Sequence, residues 1–106
     1  MNIDDRTILE KFQALLLSRV KVHKLILFGS RARGDADPDS DMDVVVILEG
    51  TVNDEDRESV SDCAWEAGFQ HGIVVVPVVF TRSEWETGPE RYSLLAQAVE
   101  SEGVPL

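Results

Sequence analysis

The chain has 106 residues, 43% apolar and 28% charged, the profile of one compact globular domain rather than of a disordered or fibrous chain. Ten Lys and Arg stand against 20 Asp and Glu, a net charge of −10, which disfavours nucleic acid as a partner because counterion release needs clustered basic side chains. No apolar run reaches the roughly 20 residues that cross a bilayer, so no membrane association is expected. The opening MNIDDRTILE is acidic rather than leader-like, and the lone Cys63 has no internal disulfide partner; a cytoplasmic, reducing setting is expected.

Residues 3 to 19 carry Ile8, Leu9, Phe12, Leu15 and Leu16 at helical spacing, with Asn2 as a cap and Asp4 and Asp5 at the positive end of the dipole. VKVHKLILF, Val20 to Phe28, then reads as a strand stopped by Gly29. DVVVIL, Asp43 to Leu48, is a second strand whose unbroken apolar run predicts burial on both faces. After the turn at Glu49-Gly50-Thr51, Asn53 caps a helix to about Gln70 whose inner face uses Val60, Ala64, Ala67 and Trp65.

IVVVPVVF, Ile73 to Phe80, is a third strand. Pro77 cannot donate to a ladder and predicts an edge position or a bulge. Thr81 to Glu84 forms a capping box for a short turn ended by Gly88-Pro89, and a last helix runs from Glu90 to Glu102. The order α-β-β-α-β-α predicts an α+β (mixed α/β) single domain over residues 1–106, with helices packed on a small three- or four-stranded sheet. An edge strand also leaves a homodimer open.

Five aspartates crowd the loop GDADPDSDMD. Asp35, Asp37 and Asp39 read as solvated turn residues. Asp41 and Asp43 differ, because they stand two apart at the mouth of a strand, roughly 6.6 Å between Cα atoms and on one face. Two carboxylates so placed either blunt the strand against aggregation or converge on a divalent cation. Mg²⁺, a hard ion held by one or two carboxylates plus phosphates, suits them best. Gly29 permits close backbone approach, and a helical turn beginning at Ser30 would offer amides and a hydroxyl to a phosphate. Arg31 and Arg33 fit either a phosphate contact or ion pairs with the nearby acids.

Gly29-Ser30, a ten-residue spacer and Asp41-x-Asp43 resemble the signature of the minimal nucleotidyltransferases, a family in the DNA polymerase β-like nucleotidyltransferase superfamily. The resemblance implies that Gly29 and Ser30, with Arg31 and Arg33 beside them, bind a nucleoside triphosphate, with ATP the expected donor. It implies that Asp41 and Asp43 ligate Mg²⁺ and are the catalytic pair. The expected reaction moves a nucleoside monophosphate, most often AMP, onto a hydroxyl of a protein or small molecule and releases pyrophosphate. The family also places a third carboxylate on the strand after the second helix, as metal ligand and base. Here that strand, IVVVPVVF, has no acid, and Asp62, Glu66, Glu84 and Glu86 all lie off it. Base assistance is worth ~10²–10⁴-fold, so its loss points to a slow enzyme. The alternative is a nucleotide- or partner-binding module, such as the antitoxin of a pair with a small helical HEPN-type protein.

The remaining chemistry-bearing residues read as structural. His23 lies in a strand and His71 near a helix end, without metal-ligand spacing. Cys63 has no Cys/His/Asp set around it, and Trp65, Trp85 and Tyr92 fit core or interface packing.

Overall fold

Five consecutive side chains of the apolar run, Val44 to Leu48, are buried, and the strand they form is central to the sheet. Each such side chain contributes roughly 1.5–3 kcal/mol on leaving water, enough to fix the register of the acids ahead of it. The computed structural model describes residues 3–34, 37, 40–88 and 94–106. The elements are α1 (Ile3–Leu17), β1 (Val22–Phe28), α2 (Ser30–Arg33), β2 (Met42–Leu48), α3 (Asp54–Phe69), β3 (Val75–Thr81), α4 (Arg82–Thr87), α5 (Leu94–Glu102) and β4 (Val104–Pro105).

The sheet order is β3-β2-β1-β4. β1 runs antiparallel to β2 and β4, whereas β2 and β3 are parallel. The architecture is therefore the expected mixed α+β sheet. Pro77 lies on the outer strand β3, where its missing N–H is tolerated. The fourth strand comes from residues 104–105, which pair with Leu27 and Ile26.

Strand alternation divides the interior in two. Val44, Val46 and Leu48 face the larger core with Ile8, Leu9, Phe12 and Leu16 of α1 and Val60, Cys63, Ala64 and Ala67 of α3. Val45 and Ile47 face a smaller cluster with Ile26, Phe80 and Val99, against which Trp85 packs. Asp43 shares the parity of this second side.

The helix faces follow the expected spacing, with one correction. On α1, Leu15 is only half-buried beside its four buried neighbours. Asn53 caps α3 and closes a box with Asp56, as the sequence suggests. Trp65 does not face the core: it is 67% exposed, and Cys63 occupies the inward position. The reason is periodicity, since 60, 63, 64 and 67 make one stripe and 65 falls outside it. β1 begins at Val22 rather than Val20. The expected Asn2 cap, the loop residues Asp35 and Asp39, Pro89, the helix start at Glu90, and Tyr92 lie outside the described residues.

Candidate functional site

The antiparallel register of β1 and β2 sets Phe28 opposite Asp43. Gly29 and Ser30, which follow β1, are thereby brought to the end of the sheet where Asp41 and Asp43 enter β2. Gly29 has φ +78°, and a Cβ built on it would stand 2.8 Å from Asp43 Oδ2. A side chain there would be strained and would strike the carboxylate, so glycine lets the acid lie against the backbone. The Ala32 and Arg33 amides donate to the Gly29 carbonyl at 3.1 and 3.2 Å, making the expected helical turn. Gly34, in the left-handed conformation, ends it. Helix geometry gives the amides of Ser30 and Arg31 no acceptor inside such a turn.

Asp41 is exposed and immediately precedes β2, while Asp43 is half-buried within it. Met42 between them is fully buried on the other side. The Asp43 carboxyl is pushed above its ordinary pKa, first by burial and second by the negative charge of Asp41. A cation beside Asp43 would offset both the burial and the neighbouring charge that disfavour its ionised form. Among the described residues, neither aspartate belongs to an ion pair.

Arg31 resolves differently from Arg33. Its guanidinium is buried, donates to Asp5 of α1 at 2.6 Å, and reaches the Ser40 carbonyl at 3.0 Å from Nε and 2.6 Å from Nη2. Of the two roles open in the sequence, the ion pair is present, and its acid lies 26 positions away on α1. One side chain thus ties the Gly29-Ser30 turn to the carbonyl just ahead of Asp41 and to the first turns of α1. Asp5, which the sequence offers only as a dipole residue, is 3% exposed and belongs to this clamp. Arg33 pairs at the surface with Glu102 of α5 at 3.1 Å.

Among the described residues, no third carboxylate joins the pair. The β2–β3 register sets Val76 opposite Asp43 and Val78 opposite Val45, so valine stands where an acid from β3 would approach. Glu84 closes the capping box with Thr81, and Glu86 pairs with Arg82 at 3.1 Å, both beyond the other end of β3. Asp62 and Glu66 are exposed on α3, across the sheet. Among the described residues, no group of three or more His, Cys, Asp or Glu is arranged to hold a metal ion. His23 is occupied by Glu49, Nδ1 to Oε1 at 3.0 Å, and His71 is exposed, in line with structural roles. Cys63 is buried, and burial pushes its thiol pKa up, away from a reactive thiolate.

The model of the nucleotidyltransferase domain matches residues 6–96, a span that contains Gly29, Ser30, Asp41 and Asp43. The chain belongs to the nucleotidyltransferase domain family. Two Methanocaldococcus jannaschii proteins, each provisionally named a protein adenylyltransferase, resemble it over part of their length. One is 29% identical over 63 residues, 59% of this chain and 64% of that protein. The other is 36% identical over 61 residues, 58% of this chain and 56% of that protein. The chain therefore spans less than two thirds of either relative.

Among solved structures, a chain of a toxin–antitoxin crystal structure with AMP-PNP superposes with a TM-score of 0.64 at 23% identity, covering 91% of this chain and 69% of that one. A chain from the tri-AMPylated Shewanella oneidensis HEPN toxin in complex with MNT antitoxin gives 0.58 at 18% identity, covering 97% and 71%. At these identities the likeness establishes the nucleotidyltransferase fold. No helix among the described residues is long and apolar enough to cross a membrane.

Proposed function

We propose that this nucleotidyltransferase-family chain binds ATP at the Gly29-Ser30 turn and transfers AMP to a hydroxyl on a partner protein, with slow turnover. The observation that carries the reading is the Asp43 carboxylate lying against Gly29, an approach that any Cβ would block. Asp41 and Asp43 have the chemistry to hold Mg²⁺: two oxygen-donor carboxylates, one with its pKa raised by burial and by the other's charge. Mg²⁺, when bound, supplies positive charge against the triphosphate and the developing charge on the pyrophosphate leaving group.

The chain's own groups supply the rest. The Ser30 hydroxyl and the leading amides of α2 offer hydrogen bonds to phosphate oxygens, and Arg31 keeps that turn and the Asp41 approach in register. Transfer forms a bond from the acceptor oxygen to the α-phosphorus and breaks the bond to pyrophosphate. The hydroxyl proton passes to solvent water, since Val76 rather than a carboxylate of β3 stands opposite Asp43. This is the physical basis for slow turnover. A second polypeptide is expected to bring the hydroxyl.

The same Val76 supports a second reading, a module that holds nucleotide or partner without turnover. The names of the solved relatives, a toxin–antitoxin pair with AMP-PNP and an AMPylated HEPN toxin with its MNT antitoxin, make a HEPN-type protein the natural candidate in either case. The test incubates the protein with Mg²⁺, ATP labelled at the α-phosphate and the protein encoded beside it. Label in that second protein, lost with Asp43→Ala, is the expected result. No label with the wild type would overturn the transferase reading in favour of the binding module.

A further inference from the structure

The outward face of α3 carries what its inward face rejects. Trp65 and Phe69 stand one turn apart, 67% and 64% exposed, with ring centroids 4.7 Å apart and planes inclined by 29°. Val74, just before β3, is 62% exposed. Between this stack and the outer strand runs a groove lined by Trp65, Phe69, Ile73, Val75 and Pro77. Its floor is closed, because α3 lies so near the chain below that a Cβ on Gly68 would strike the Ile73 carbonyl. Two large aromatics held together in water, with an apolar trough at their side, form an exposed patch of the kind that marks an interaction surface.

Charge decides what fits. α3 carries six acids and one basic residue, Arg57. Of the acids, Glu55, Glu58, Asp62 and Glu66 are exposed and follow the Trp65–Phe69 stripe at helical spacing along one flank. Among the described residues none of these four is in an ion pair. A second copy seated here would set the same acids against each other, on chains each carrying −10. Pro77 removes an N–H from the outer strand, so an added strand would lose a ladder bond and side-chain docking is favoured.

We propose that the Trp65–Phe69 groove docks a helix of a partner protein that presents apolar side chains flanked by lysine or arginine. The aromatic pair supplies the buried contact and Asp62 and Glu66 the matching rim, an arrangement in which a few central aromatics carry most of the affinity. The patch is separate from the nucleotide site: α3 packs on the side of the sheet opposite the one whose parity Asp43 shares. The inference therefore stands apart from the reading of transfer.

The test uses a fluorescently labelled amphipathic peptide of leucine and lysine, with a leucine–glutamate peptide of equal length as control, and follows binding by anisotropy. Wild type binds the lysine peptide and not the glutamate one. Trp65→Ser with Phe69→Ser, which keeps every charge, weakens binding roughly tenfold or more. Asp62→Asn with Glu66→Gln, which keeps the aromatics, weakens it and flattens its salt dependence. Urea midpoints like the wild type's confirm that both variants fold. Undiminished binding by the serine variant would mean attraction to the chain's overall acidity and overturn the proposal, as would no binding by the wild type. A homodimer in sedimentation that dissociates on the serine substitutions would assign the groove to a second copy, and overturn it as well.

Discussion

The two ends of β2 handle negative charge in opposite ways. Beyond its last residue, Glu49 accepts from Arg82 at 3.0 Å and lies 3.0 Å from His23 Nδ1, while Arg82 also holds Glu86 at 3.1 Å. At its first turn, Asp43 has a glycine backbone on one side and the charge of Asp41 as its electrostatic neighbour. The paired end is what a fold does with charge when only solubility and local order are at stake. The other end, unpaired among the described residues, costs stability, since burial and a like charge both disfavour the ionised Asp43. The proposed metal and nucleotide would relieve that cost, and the contrast between the two ends of β2 says more than the number of acids in the loop.

The contrast can be broken most forcefully at Arg31. Arg31→Ala takes the guanidinium from the buried Asp5 and from the Ser40 carbonyl, and should destabilise the domain by about 3–5 kcal/mol in urea denaturation. Restoring most of that loss with Asp5→Leu in the same chain would show that the cost lies in taking the guanidinium away from the buried carboxylate. A loss no larger than that of a surface pair would show that the clamp does not hold the site together.

Gly29→Ala comes next. The left-handed backbone costs about 1–2 kcal/mol for a side chain, and the added methyl must also displace Asp43 Oδ2. A lower urea midpoint together with loss of ATP binding is expected; unchanged nucleotide binding would detach the glycine from the site.

A smaller effect, of opposite sign, sharpens the comparison. Because the folded protein holds the Asp43 proton more tightly than the unfolded chain, stability falls as pH rises from the ordinary value of 3.8 through the raised folded value. Above that window the penalty is complete. Asp43→Asn should therefore raise the melting temperature of the metal-free protein at neutral pH and remove this part of the acid-side slope. A lower melting temperature would contradict the electrostatic account of the unpaired end. The smallest change belongs to the paired end: Arg82→Ala exposes no buried charge and should leave the urea midpoint close to that of the wild type.

The placement of the candidate site was legible in the sequence where it depends on strand ends. Gly29-Ser30 terminates one apolar run and Asp41-x-Asp43 opens the next, so any antiparallel pairing of the two runs brings them together. The valines of β3 were equally legible, and the register only specified that Val76 is the one opposite Asp43. The clamp was not legible. Asp5 and Arg31 lie on different elements, each with an ordinary local explanation, and only packing of α1 against the α2 turn shows that both are buried. Trp65 misled for a related reason: hydrophobicity suggested an inward side chain, but the 60-63-64-67 stripe was already complete with smaller residues. The two-residue β4 was hidden because so short a segment carries no periodicity, and it is fixed by partners on β1.

Calorimetric titration with ATP tests the central claim most directly, in the presence and absence of Mg²⁺, on the wild type and on Asp43→Ala. A carboxylate pair poised against the glycine turn predicts binding that requires Mg²⁺ and disappears with the substitution. Equal, metal-independent heats from both proteins would contradict it.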